Sequence, residues 1–81
     1  MDVWEHEGHQ FEVVLASDVV RDGMALELTD LGAPDSGPVL EALWHDDGFD
    51  FIAHQTVTLP FSVMERFVDA ARKYLPPSGQ A

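Results

Sequence analysis

Four histidines, His6, His9, His45 and His54, stand among fifteen carboxylates in this chain of 81 residues. They are the side chains with which it could do chemistry. His6 and His9 are three residues apart and are flanked by Glu5 and Glu7. On a helix that spacing would bring two imidazoles together as metal ligands. Gly8 interrupts the stretch and no helical apolar stripe supports it, so no metal site is expected there. His45 and His54 fall on either side of an Asp47-Gly48 turn signal. A hairpin turning there sets His45 opposite Asp50 and Glu41 opposite His54, as solvated cross-strand pairs that would make their face sensitive to mild acid.

Nucleophilic chemistry has little to draw on. There is no cysteine, and the single lysine is Lys73. Ser17, Ser36, Ser62 and Ser78 sit in no nucleophile motif, and no glycine-rich phosphate loop is present. The expectation is a protein that is not an enzyme and needs no cofactor.

The elements that position these residues follow from periodicity. Phe11 to Arg21 and Met24 to Thr29 are rich in β-formers, and Asp22-Gly23 between them is a two-residue hairpin signal. That turn sets Val19 opposite Leu26 and Asp18 opposite Glu27. Asp30 to Pro38 reads as a loop. Val39 to His45 and Phe49 to Leu59 are the third and fourth strands, with Trp44 opposite Phe51 and Ala42 opposite Ala53. Leu59 to Leu75 carries Met64, Phe67, Val68, Ala71, Tyr74 and Leu75 at helical spacing. Two starts are open for this helix: Pro60 at the first helical position, or a Ser62/Glu65 capping box. Pro76 and Pro77 end it.

The order is ββββα. An α+β fold is expected, with a four-stranded antiparallel sheet of two hairpins and one C-terminal helix packed on one face. Residues 1–10 are read as an N-terminal arm or short edge strand, 11–75 as one domain and 76–81 as a disordered tail.

One helix covers only one side of four strands. The registers put Val14, Val20, Val39, Leu43 and Ile52 on the other side, with His45 and His54 among them. This face is more apolar than full solvation favours. It is the candidate interaction face, for a second copy or another protein.

Charge sharpens that expectation. The net charge is −11. Residues 1–60 hold thirteen acids against Arg21, a net of −12, while 61–81 carry a net of +1. Such a field repels phosphate backbones over roughly 8 Å at physiological salt. Nucleic acid is therefore not the expected partner. A basic protein is, as for inhibitors, immunity proteins or DNA mimics. No apolar run approaches the roughly 20 residues of a membrane helix. The first residues lack the basic-then-apolar order of a signal peptide. With no cysteine, these point to the cytoplasm.

VVRDGMALELTDL in the first hairpin and VTLPFSVMERFVDAARKYL at the strand–helix junction resemble the single-stranded-DNA-binding transcriptional coactivators of the positive-cofactor-four type. The resemblance covers about half the chain. It implies a curved antiparallel sheet followed by a helix that makes a dimer, and, as an alternative function, nucleic-acid binding in transcriptional regulation. That family binds through basic and aromatic residues on its sheet. Here the sheet region has one arginine, so no binding residue carries over. The nucleic-acid alternative would need Arg66, Arg72 and Lys73 to gather with Arg21. A further reading uses His45 and His54 to hold a metal or a small molecule.

Overall fold

The computed structural model describes residues 2–18, 23–45 and 48–75. Five antiparallel strands are followed by one helix: β1 Asp2–His6, β2 His9–Asp18, β3 Gly23–Asp30, β4 Pro38–His45, β5 Gly48–Ala53 and α1 Phe61–Tyr74. The strands pair in chain order, so the sheet is a meander with β1 and β5 at its edges. The α+β class and the C-terminal helix are as expected. The strand count is corrected from four to five.

The added strand is β1: of the two readings of residues 1–10, the short edge strand holds and the arm does not. Glu7 and Gly8 both have positive φ, 50° and 82°, and they lie between the paired His6 and His9. Positive φ at both central residues is the signature of a tight hairpin turn whose twist matches its strands. Gly8 therefore makes a turn where the sequence reads as an interruption. The hairpin sets Trp4 against Phe11, and both are buried.

Both Asp-Gly hairpins are shifted from the expected registers. Leu15, not Val19, faces Leu26, and Asp18 pairs with Gly23. His45 pairs with Gly48 and Trp44 with Phe49. The slips are by four and two residues. Side chains alternate with a period of two, so an even slip leaves every residue on its expected face. Gly23 is needed for a different reason than a turn. A Cβ there would collide with the backbone carbonyl oxygen of Trp44 on the neighbouring strand.

One face of the sheet receives the helix. Trp4, Phe11, Val13, Leu26, Leu28, Leu40 and Ala42 form one core with Val63, Phe67, Ala70 and Ala71 of α1, and Leu75 closes it. Phe67 and Leu28 are fully buried. Val39 is a correction: it joins this core instead of the opposite face. The pairing shifts between Leu28 and Thr29, where Leu40 faces Leu28 but Pro38 faces Thr29. Val39 is thus the extra residue of a bulge, which re-aims a side chain out of strict alternation.

β5 stops at Ala53, short of the expected Leu59. Gln55 explains part of this: its side-chain amide donates to the carbonyls of Ser36, Gly37 and Pro38 at 3.0–3.2 Å. The chain then crosses to α1. Pro60 is the N-cap and no side chain caps the helix, so neither expected start applies. The N–H groups of Val63 and Met64 bond to the Pro60 carbonyl. At the other end Leu75 is extended, with φ −124° and ψ 138°, as a residue before proline prefers.

The helix is also turned relative to its apolar stripe. Val63 and Ala70 are buried, while Met64 and Val68 are half-buried and Tyr74 is exposed. The stripe is wider than the contact, and its surplus lies along one flank.

Candidate functional site

The open face of the sheet is built from the residues that alternate with the core. Val14, Glu27, Glu41 and Ile52 form one row across β2 to β5. Ala16, Ala25, Leu43 and Asp50 form the next. Ala25 and Leu43 are buried although no helix covers them. Val14, Ile52 and His45 are half-buried and His54 is exposed. The structure thus brings together Val14, Leu43, Ile52, His45 and His54, and removes Val39 to the core. Val20 lies outside the described residues.

Both expected histidine pairs form, diagonally and not directly opposed. His45 Nε2 lies 2.9 Å from Asp50 Oδ2, and His54 Nε2 lies 2.8 Å from Glu41 Oε1. A diagonal step across antiparallel strands keeps both partners on one face and within reach of long side chains. Glu41 is 2 % exposed, the one buried charged residue among those described. It sits directly across from Glu27 on the neighbouring strand. Like charges in that position are unfavourable. Glu12 extends the acidic set along β2, on the same face by alternation.

A second cluster lies at the far end of the covered face. His6, Glu7, His9 and Asp30 line a cleft of about 380 Å³ that Phe11, Val39 and the 57–60 segment close from below. His9 stacks on Phe11 with ring centres 4.9 Å apart. Its Nε2 is 2.7 Å from Asp30 Oδ1, an oxygen that also accepts the Gly32 N–H at 2.8 Å. Burial opposes ionisation of Asp30. The Gly32 N–H, the His9 hydrogen bond and the His9 charge outweigh it, holding the carboxyl below its ordinary value. His6 Nε2 is 2.9 Å from Glu7 Oε2, and its Nδ1 is 3.4 Å from Ser62 Oγ. Among the described residues no group of three or more His, Asp or Glu side chains is arranged to hold a metal.

A third feature had no forecast from the residues. β5 and the outer flank of α1 form an apolar groove. Phe49 and Phe51 are 44 % and 50 % exposed, and Phe61, at the start of the helix, is 78 % exposed. Phe49, Phe51, Val68, Ala71 and Arg72 line one part, about 280 Å³, and Phe61, Met64, Val68 and Arg72 line its continuation, about 390 Å³. The available signal was the pair of phenylalanines two apart on a terminal strand, together with an apolar stripe too wide for one contact.

The basic residues divide between the two flanks of the helix. Arg66 lies over the Trp4 ring at 4.5 Å, on the β1 side, while Arg72 lines the groove on the β5 side. Arg21 lies outside the described residues. No described helix is long and apolar enough to cross a membrane. No protein family, curated protein or solved structure matches the chain.

Proposed function

We propose that this chain is a non-catalytic interaction module whose open sheet face engages a basic protein surface, as inhibitors, immunity proteins and DNA mimics do. The observation that carries this reading is the Glu27–Glu41 opposition on that face, in a chain of net charge −11. An arginine or lysine arriving from a partner would meet the half-buried Glu27, with Glu41 beneath it already held by His54. Glu12 and Asp50 extend the acidic field around the two of them. The buried floor of Ala25 and Leu43, with half-buried Val14 and Ile52, supplies an apolar centre of the kind that interfaces surround with a polar rim.

The test is calorimetric titration with a lysine-rich peptide at low and high salt. Binding is expected at low salt and should fall steeply as salt rises. Glu12→Gln combined with Glu27→Gln should weaken it several-fold, while Glu65→Gln on the helix leaves it unchanged. Binding indifferent to salt, or to the paired substitution, overturns the proposal.

A further inference from the structure

Among the described residues neither edge strand of the sheet has an outer neighbour, and the two edges differ in charge. β1 presents Asp2 and Glu5 within five residues, followed by Glu7 in its turn. Charges of one sign along an edge repel a second strand. β5 presents one acid, Asp50, already held by His45 at 2.9 Å. Its remaining residues are Gly48, Phe49, Phe51, Ile52 and Ala53. A long, apolar, unguarded edge is a template for another strand.

The direction of its hydrogen-bonding groups is fixed. The His54 N–H bonds inward to the Val39 carbonyl of β4. Backbone groups alternate along an antiparallel strand, so Phe49, Phe51 and Ala53 turn theirs outward.

We infer that a second copy of this chain docks on this edge, with the two β5 strands antiparallel about a two-fold axis at Phe51. Charge selects both the occupant and the register. Centring the axis on Asp50 would set two carboxylates face to face. Centring it on Ile52 would leave half of the strand, Gly48 to Asp50, unpaired. At Phe51 the ring meets its own copy, Phe49 meets Ala53, and Asp50 meets Ile52. All the outward groups of Phe49–Ala53 then find partners.

The helix agrees with this pairing. A two-fold axis perpendicular to the sheet puts both helices on one side, groove against groove, so each molecule covers the other's Phe51, Met64 and Val68. Glu65, Asp69 and Arg72 share that flank, so each copy offers an acid to the other's arginine. Residues 61–81 carry a net of +1 in a chain otherwise at −12. The flank's own charges, Glu65 and Asp69 against Arg72, sum to −1, so two such chains meet here against a weaker acidic field than elsewhere on the molecule. The resulting sheet is continuous, and the two open faces become one.

The test uses the full chain. Sedimentation equilibrium over a concentration series should give the mass of two chains, persisting in high salt. Phe49→Lys should reduce it to one while leaving the far-ultraviolet spectrum unchanged. Because the chain has no cysteine, Phe51→Cys reports the axis directly: mild oxidation should yield a disulfide-linked dimer rapidly. Val3→Cys, on the exposed part of β1, should not. A single-chain mass throughout, or equal cross-linking of the two cysteine variants, overturns the inference. A single-chain protein that still binds the lysine-rich peptide overturns this inference alone and leaves the proposed function standing.

Discussion

The two faces of this sheet are dry at their centres for different reasons. On one, Leu26, Leu28 and Ala42 are sealed by Phe67, Ala70 and Ala71 of the helix. On the other, Ala25, Leu43 and Glu41 are 2–5 % exposed with no helix above them. Beside them across the strands lie Val14, Glu27 and Ile52, and Glu41 is bonded to His54. The first face is closed by an element that must be ordered onto it. The second has no such element among the described residues. In a chain this small, which buries only roughly 60 % of its unfolded surface, that division assigns stability mainly to the helix-covered face, and on the proposed function it leaves recognition to the other.

Large-to-small substitutions should separate them most clearly. Phe67→Ala empties the middle of the sealed core and should cost about 3–5 kcal/mol, a large share of the stability of a domain this size. Leu43→Ala, at a site that solvent can reach after truncation, should cost about 2 kcal/mol, the low end for a buried leucine. Urea unfolding measures both. Equal losses would erase the distinction between the faces.

A smaller effect belongs to the end of the covered face. Asp30 has a folded-state pKa below its unfolded value. It therefore contributes stability above about pH 4, the ordinary carboxylate range, and that contribution is lost as pH falls through the folded value. Asp30 is partly exposed, so solvent screening keeps the gain under about 1 kcal/mol. Asp30→Asn should lower stability near neutrality by that amount and flatten the acid limb of the stability–pH curve. Melting temperatures from pH 3 to pH 7 read it.

The smallest effect should have the opposite sign. Glu27→Gln removes the like charge facing Glu41 and should stabilise the protein by about 0.2–1 kcal/mol, less in high salt. The same substitution weakens the lysine-rich peptide. On the proposed function, Glu27 costs the fold and serves the partner.

Much of this was legible in the residues, and what was not has identifiable causes. Parity came through intact, because Leu26 and Leu28 or Trp44 and Phe51 keep their faces under any even slip of register. The registers themselves did not, because Asp22-Gly23 and Asp47-Gly48 are strong turn signals whose glycines here stand at the start of strands. At Gly23 the demand is for room beside Trp44, a contact between strands that no local signal carries. β1 was one of two readings of residues 1–10, and its composition kept the other open: Glu-Gly is a weaker turn signal than Asp-Gly, and Asp2, Glu5 and His6 dilute the apolar pattern around Trp4. Val39 was misplaced because a bulge breaks alternation from outside the strand's own sequence. Of the candidate face, Val14, Leu43, Ile52 and both histidine–carboxylate pairs followed from alternation alone. The groove did not, because it depends on how far the helix is rotated over β5.

The chain-order pairing of the strands has a consequence for how the molecule assembles. Every strand pairs with its neighbour in sequence, so each pairing closes only a short loop, and short closures cost little entropy. The distant closures are those of α1, which returns across the sheet to β3 and, through Arg66 and Ser62, to β1. Assembly should then run as a rapid growth of adjacent hairpins, with docking of the helix as the late event. Phe67→Ala should accordingly leave the refolding rate nearly unchanged and accelerate unfolding, a split that stopped-flow measurements in urea would show as a shift of one limb of the chevron only.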